Sequence, residues 1–365
     1  MDIIPPANPV LTKEMEDAAI NALRNERYIL GESVGKFEEE FSKYIGTDFA
    51  VSVSSGTNAL HLALLASGIT IGGEIITVAS SYIATANSII HANGTPIFCD
   101  INDEYLIDVN QIPDKISNRT RGIMPVHLYG HPADMNEINK IAEKNDLFVI
   151  EDCAQSHGAL YTGKMTGTFS DIGCFSFYST KNMTVCGDGG MITTNDEKIA
   201  EKIKLLRNHG QYPKDVHTMI GYTARLNTVN AAIGRVQLKH LPKWIEKRRS
   251  IAKKYNKFLK DVEEIVLPPK DSEIKKPSYH LFEIKTKKRD DLLKFLKENN
   301  IICLIHYPMP IPYQPIYKQL FGYKEGSFPK SEELSAQAMD LPLFPDLKDE
   351  QIKYISEKIH EFFNR

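Results

Sequence analysis

Apolar positions in the first two-thirds of the chain alternate between a helical and a strand-like period. Val34, Phe37, Phe41 and Tyr44 recur at helical spacing after Gly31-Glu32-Ser33, with Ser33 as a candidate cap. Phe49-Ala-Val-Ser-Val-Ser54 then reads as a short strand, and the stretch from Asn58 to Ser67 as a helix. Further short apolar runs at Ile75–Ala79, Pro96–Cys99, Gly122–Val126, Phe148–Glu151, Cys174–Phe177 and Met191–Thr194 predict strands. Helical patterns lie between several of them, notably Met135–Asn145 and Glu197–Arg207. Strands that alternate with helices predict an α/β fold around a mostly parallel sheet.

Near Pro242 the texture changes. Trp244–Leu259 reads as one Lys/Arg-rich helix connecting two domains, with Lys247-Arg248-Arg249 as its solvated face and nucleotide-diphosphate contact as the rarer alternative. Beyond it the pattern predicts a strand at Tyr279–Lys285, a helix at Asp290–Asn299, a strand at Ile301–His306, then a loop and two helices. The expected division is a large domain over residues 1–240 and a smaller α/β domain over 241–365. Roughly the first twenty residues are open to either domain, and no internal repeat is visible.

Composition narrows the function classes. Among 365 residues, 44 basic and 47 acidic side chains leave a formal charge of −3. That balance gives no basic footprint for nucleic acid and no polybasic patch for a membrane surface. No window approaches the roughly 18 continuous apolar residues of a membrane span, and Met1-Asp2-Ile3-Ile4-Pro5-Pro6 lacks the regions of a signal peptide. The expectation is a cytoplasmic enzyme or ligand binder. Five cysteines (Cys99, Cys153, Cys174, Cys186, Cys303), never in a CxxC, suggest neither a disulfide framework nor a zinc site.

Three stretches carry chemistry. Ser54-Ser55-Gly56-Thr57 lies between a strand and a helix, where backbone N–H groups, a permissive glycine and hydroxyls make an anion cradle; taken alone, such residues more often only cap a helix. Phe148-Val-Ile-Glu-Asp-Cys-Ala-Gln-Ser-His-Gly158 delivers Glu151, Asp152 and Gln155 to the carboxyl end of a strand, where α/β proteins bind ligands. A carboxylate there serves structure, a metal or a cationic ring. Cys174-Phe-Ser-Phe-Tyr-Ser-Thr-Lys-Asn182 ends in Lys181 just before Gly187-Asp-Gly-Gly190, a setting in which an amine is desolvated enough for Schiff-base chemistry, or is paired with an acid. Taken in order, phosphate cradle, carboxylate and lysine match the needs of pyridoxal 5′-phosphate. His127-Leu-Tyr-Gly-His131 has ligand-like spacing, but Gly130 and Pro132 argue for a loop, so no metal is expected.

With these motifs in place, the chain resembles the DegT/DnrJ/EryC1/StrS family of nucleotide-sugar aminotransferases. The resemblance runs through Tyr28-Ile-Leu-Gly31, Ser55-Gly-Thr-Asn-Ala-Leu60, Pro125-Val-His-Leu-Tyr-Gly130, Glu151-Asp-Cys-Ala-Gln-Ser-His-Gly158, Ser176-Phe-Tyr-Ser-Thr-Lys-Asn182, Arg207-Asn-His-Gly210 and Leu341-Pro-Leu-Phe-Pro345. It implies the pyridoxal-phosphate transferase fold type I, aspartate-aminotransferase-like. It also implies that Lys181 forms the Schiff base and moves the proton, Asp152 pairs with the pyridine nitrogen, Gln155 binds the ring hydroxyl, Gly56, Thr57 and Ser176 bind the phosphate, and Tyr82 stacks on the ring. In Gly221-Tyr-Thr-Ala-Arg-Leu226, Thr223 stands where the family usually has an Asn that reaches the neighbouring subunit's phosphate.

The retained Lys181 implies transamination rather than the dehydration run by relatives with His there. Glutamate is the implied donor, a nucleotide-diphospho-keto-sugar the acceptor, and a homodimer with composite sites the implied assembly. Ile305-His-Tyr-Pro-Met-Pro-Ile311 followed by Gln314-Pro315 resembles the segment of members acting at C3, which makes His306 and Tyr307 substrate-side candidates; the alternatives are amination at C4 and a non-catalytic, cofactor-binding regulator.

Overall fold

The computed structural model describes residues 2–364. Its centre is a seven-stranded sheet: β1 (Phe49–Val53), β2 (Glu74–Val78), β3 (Thr95–Cys99), β4 (Thr120–Met124), β5 (Phe148–Asp152), β6 (Ile172–Ser176) and β7 (Gly190–Thr194), in the order β1-β7-β6-β5-β4-β2-β3. The pairs β2–β3, β2–β4, β4–β5 and β5–β6 are parallel, and β7 runs antiparallel to both of its neighbours. All strands except β7 therefore point their carboxyl ends to one edge. The strands are buried on both faces, as parallel sheets are. The helix Gly56–Ala66 covers one face with Val51, Ile150 and Ile172, and Met135–Lys144 covers the other with Ile76, Ile123 and Val149.

Several boundaries differ from the sequence expectation. The helix Glu32–Ile45 is capped by Gly31, and Ser33 instead takes Glu26 through its N–H (2.7 Å) and its hydroxyl (2.6 Å). The connector helix spans Thr228–Leu259 and passes through Pro242, so residue 240 lies inside a continuous helix. Its face is not solvated at Arg248. That side chain is buried, and its guanidinium donates to the carbonyls of Tyr279 (3.1 Å), His280 (3.2 Å) and Leu343 (3.1 Å). Arg249 likewise donates to the carbonyls of Pro277 and Gly158. A planar fan of donors suits irregular chain whose carbonyls lack ladder partners, and here it ties the helix to the segments that enter and leave the small sheet.

That small sheet pairs Phe282–Lys285 with Ala338–Leu341, antiparallel. Ile301–His306, expected as a strand, makes only isolated bridges, at Ile301 to Ile4 and at Leu304 to Asp340. The strand that pairs with Phe282–Lys285 in a full ladder begins 53 residues after Lys285, too far for local alternation to reveal. Three helices follow rather than two: Pro315–Phe321, Pro329–Gln337 and Asp349–Phe363. The N-terminus divides. Ile4 joins the core of Tyr255, Phe282 and Ile301, whereas the helix Lys13–Asn25 sets Met15 against Ile233, Val236 and Trp244.

Candidate active site

A cavity of about 380 Å³ opens at the edge where the parallel strands end. The loops after β1, β5 and β6 form one wall, and His280, His306 and Tyr307 form the other. Behind β1, Ser55 caps the helix Gly56–Ala66 by accepting the Asn58 N–H (3.1 Å). The first amides of that helix have no intrahelical acceptor and line the cavity at Gly56 and Thr57. Gly56 passes against the end of β6; a Cβ there would lie 2.6 Å from the Cβ of Ser176. Glycine is thus needed for close approach.

Asp152, at the end of β5, is buried and accepts from the Ala154 N–H (3.1 Å) and the Thr85 hydroxyl (2.9 Å). Burial pushes its carboxyl above the usual range, against the pull of those donors and of Lys181. Lys181 lines the same cavity, and burial brings its ammonium down to about 8, opposed by Asp152. At pH 7 about a tenth of such an amine is unprotonated, far more than for a lysine in water at its ordinary value.

Gln155 is buried, accepts the Tyr129 N–H (2.6 Å) and donates to the Tyr307 hydroxyl (3.0 Å). The Tyr307 ring lies 5.8 Å from that of Tyr82, which is 56% exposed and free to lie over a planar ligand. His306 turns Nδ1 to Asp340 (2.8 Å), while its carbonyl accepts the Tyr129 hydroxyl. The Ser176 hydroxyl sits opposite Gly56 and accepts only a long bond, 3.4 Å, from the Tyr178 N–H.

Eight of the sequence candidates (Lys181, Asp152, Gly56, Thr57, Tyr82, Gln155, Ser176 and the pair His306–Tyr307 counted together) therefore line one cavity. Thr223 does not. It is exposed and bonds His209 (3.0 Å) outside the cavity of its own chain. Sequence reasoning passed over His280, which also lines the cavity, as do Tyr178 and Asp188 from the stretches marked on either side of Lys181. Only the His-Leu-Phe run after Tyr279 hinted at the first, because a histidine on an apolar strand is more often core than site.

Glu151 points away from the cavity, since successive strand residues face opposite sides. With His127 and Cys153 it forms the one metal-like cluster among the described residues. Its donors are already engaged: His127 accepts the Ala133 N–H at Nδ1 (3.0 Å) and gives its Nε2–H to Glu151 (2.9 Å). His131 lies elsewhere, its ring against Tyr279.

The cavity suits pyridoxal 5′-phosphate by its own chemistry. A helix N-terminus opened by a glycine receives a dianion, a desolvated amine meets an aldehyde, and a buried carboxylate held above its usual range has room for a cationic ring nitrogen. Fold and site together define a pyridoxal-phosphate-dependent aminotransferase. Comparison with known proteins narrows this. The model of the DegT/DnrJ/EryC1/StrS aminotransferase family matches residues 9–360. A pleiotropic regulatory protein of Geobacillus stearothermophilus is 42% identical over 343 residues, covering 93% of this chain and 92% of that one. A dTDP-3-amino-3,6-dideoxy-alpha-D-galactopyranose transaminase of Aneurinibacillus thermoaerophilus is 39% identical, covering 96% and 95%. The crystal structure of S. venezuelae DesV in complex with a ketimine intermediate superposes with a TM-score of 0.97 at 36% identity and full coverage of both chains. The chain belongs to the DegT/DnrJ/EryC1/StrS family. Among the described residues, no helix is long and apolar enough to cross a membrane.

Proposed function

We propose that this enzyme moves an amino group from glutamate to the C3 keto group of a nucleotide-diphospho-sugar, working as a homodimer. The observation that carries the reading is the small-domain segment His306-Tyr307, which reaches the cavity and meets Gln155 through the Tyr307 hydroxyl. It resembles the segment of C3-acting members, and the A. thermoaerophilus relative is named for a 3-amino sugar.

Pyridoxal phosphate, when bound, supplies the electron sink and stores the amino group between the two half-reactions. The chain does the rest. Gly56, Thr57 and Ser176 hold the phosphate, Tyr82 covers the ring, and Gln155 binds the ring hydroxyl. Asp152 keeps a proton on the ring nitrogen. Lys181 anchors the group and then, as a free amine, takes the proton from the amine-bearing carbon and returns it. His306 and Tyr307 face the sugar, and Thr223 faces the cofactor of the partner subunit. The domains meet near residue 240, within the long helix.

The test is an absorption spectrum before and after glutamate, followed by presentation of 3-keto and 4-keto nucleotide sugars to the aminated enzyme. The expected outcome is a glutamate-driven spectral shift reversed by 3-keto sugars. Reversal by 4-keto sugars alone refutes the C3 assignment.

A further inference from the structure

The wall that faces the sugar contains a buried carboxylate with no role in the reaction so far. Asp340 is 2% exposed on the strand Ala338–Leu341, and its Oδ1 lies 2.8 Å from His306 Nδ1. A carboxylate accepts, so Nδ1 carries the hydrogen. His306 Nε2 has no protein partner among the described residues, and the ring lines the cavity. The backbone holds this arrangement from both sides: the Asp340 N–H donates to the Leu304 carbonyl (3.0 Å), and the Tyr129 hydroxyl donates to the His306 carbonyl. The ring is thereby fixed in orientation and in tautomer.

We infer that Asp340 is a positioning residue which holds His306 with Nδ1 protonated and Nε2 bare, so that Nε2 carries a proton from the incoming amine nitrogen to the departing keto oxygen of the sugar. The inference rests on the keto-sugar reading above. Replacing a carbonyl oxygen by nitrogen breaks both C–O bonds, with the electron pairs going to oxygen, which leaves as water. The two protons of that water come from the two N–H bonds the nitrogen loses as it bonds to carbon. Nε2 accepts one such proton and delivers it to oxygen, returning to its starting state. An aspartate that fixes the tautomer of a histidine base is the logic of the hydrolase triad.

The neighbours agree with this charge arrangement. Glu283 stands directly opposite Asp340 on the paired strand, 1% exposed, and both of its carboxylate oxygens lack a partner. Burial first, and then Asp340, push its carboxyl well above the usual range, against the pull of Arg289. Among the titratable groups around the dyad, burial keeps Cys303, Tyr129, Tyr307 and His280 neutral, while Lys181 and Arg248 also act on His280 and Arg289 on Glu283.

The experiment uses 15N-histidine-labelled protein without substrate, with His306→Gln to assign the resonance, and steady-state amination by Asp340→Asn, His306→Gln and the double variant. The expected wild-type signature is a protonated Nδ1 with a bare Nε2, lost in Asp340→Asn. Asp340→Asn should lower kcat by about 10²- to 10⁴-fold with a smaller change in KM, and should add nothing in the His306→Gln background. A bare Nδ1 in the wild type, or losses that multiply in the double variant, would overturn the inference. If Asp340→Asn does not fold, the wild-type tautomer decides alone. Failure to aminate any keto sugar would refute the substrate reading, while the tautomer still decides the positioning.

Discussion

Two pairs of buried carboxylates flank the cavity, and they are ionised by opposite logic. In the large sheet, Glu151 and Asp152 are consecutive on β5 and face opposite sides. Glu151 receives His127 Nε2 (2.9 Å), the N–H groups of Gly167 (2.7 Å), Phe169 (2.9 Å) and Ser170 (3.1 Å), and the Ser170 hydroxyl (2.8 Å). Burial pushes its carboxyl up, but these donors overcome it and hold the group below its usual range. In the small sheet, Glu283 and Asp340 are cross-strand partners on the same side, and Glu283 receives no donor at all. Both glutamates are fully buried. What separates a charged buried carboxylate from a neutral one here is the number of donors aimed at it, not depth. The large-sheet pair ties the end of β5 to the loop over Gly167–Ser170; the small-sheet pair lies beneath His306.

The largest break in this picture is at the cavity itself. Lys181→Ala should abolish turnover and the glutamate-dependent spectral shift while leaving the fold intact, since its amine touches the cavity rather than the core; a surviving shift would show that another amine holds the cofactor. Next comes Glu151→Gln. It turns one acceptor oxygen into a donor that faces two or three of the five donors, and should cost about 3–5 kcal/mol of stability in chemical denaturation at pH 7. The wild-type contribution is present above the ordinary 4.5 of a glutamate and fades as pH falls through the lowered folded value, so the gap between the two proteins should close in acid. A smaller effect is expected for Gly56→Ala, whose methyl would sit 2.6 Å from Ser176 Cβ. Overpacking of that kind costs about 1–3 kcal/mol and should weaken retention of pyridoxal phosphate on dialysis.

How much of this was legible in the sequence depended on whether a signal was local. The cradle, Asp152, Gln155 and Lys181 were readable because each sits within a strand-turn-helix stretch whose apolar run announces the strand end. The seven strands were readable for the same reason, to within two residues at most ends. Of the small sheet only the first strand was, expected at Tyr279–Lys285 and found at Phe282–Lys285. Its second strand, Ala338–Leu341, carries only four residues, one of them a charged Asp facing the core, and its pairing is long-range. Arg248 was misread as solvated because three basic residues in a row say nothing about which carbonyls the tertiary fold brings to them. Asp340 and Glu283 carried no signal in sequence, since a buried acid in a short strand is legible only once its partner is known.

The last effect is read as a slope with pH, and it is the sharpest test of the comparison. If Glu283 is neutral in the folded protein, it binds a proton there that the unfolded chain releases above its ordinary 4.5. The unfolded state then binds fewer protons, so wild-type stability falls as pH rises from 4.5 towards the raised folded value, by up to about 1.4 kcal/mol per pH unit. Glu283→Gln keeps the shape of the neutral acid and removes the titration. Its stability relative to wild type should be level below pH 4.5 and should improve steadily above it in urea denaturation across pH 4 to 8. A difference that stays level across that range would mean that Glu283 is charged, and that donors are not what distinguishes the two carboxylate pairs.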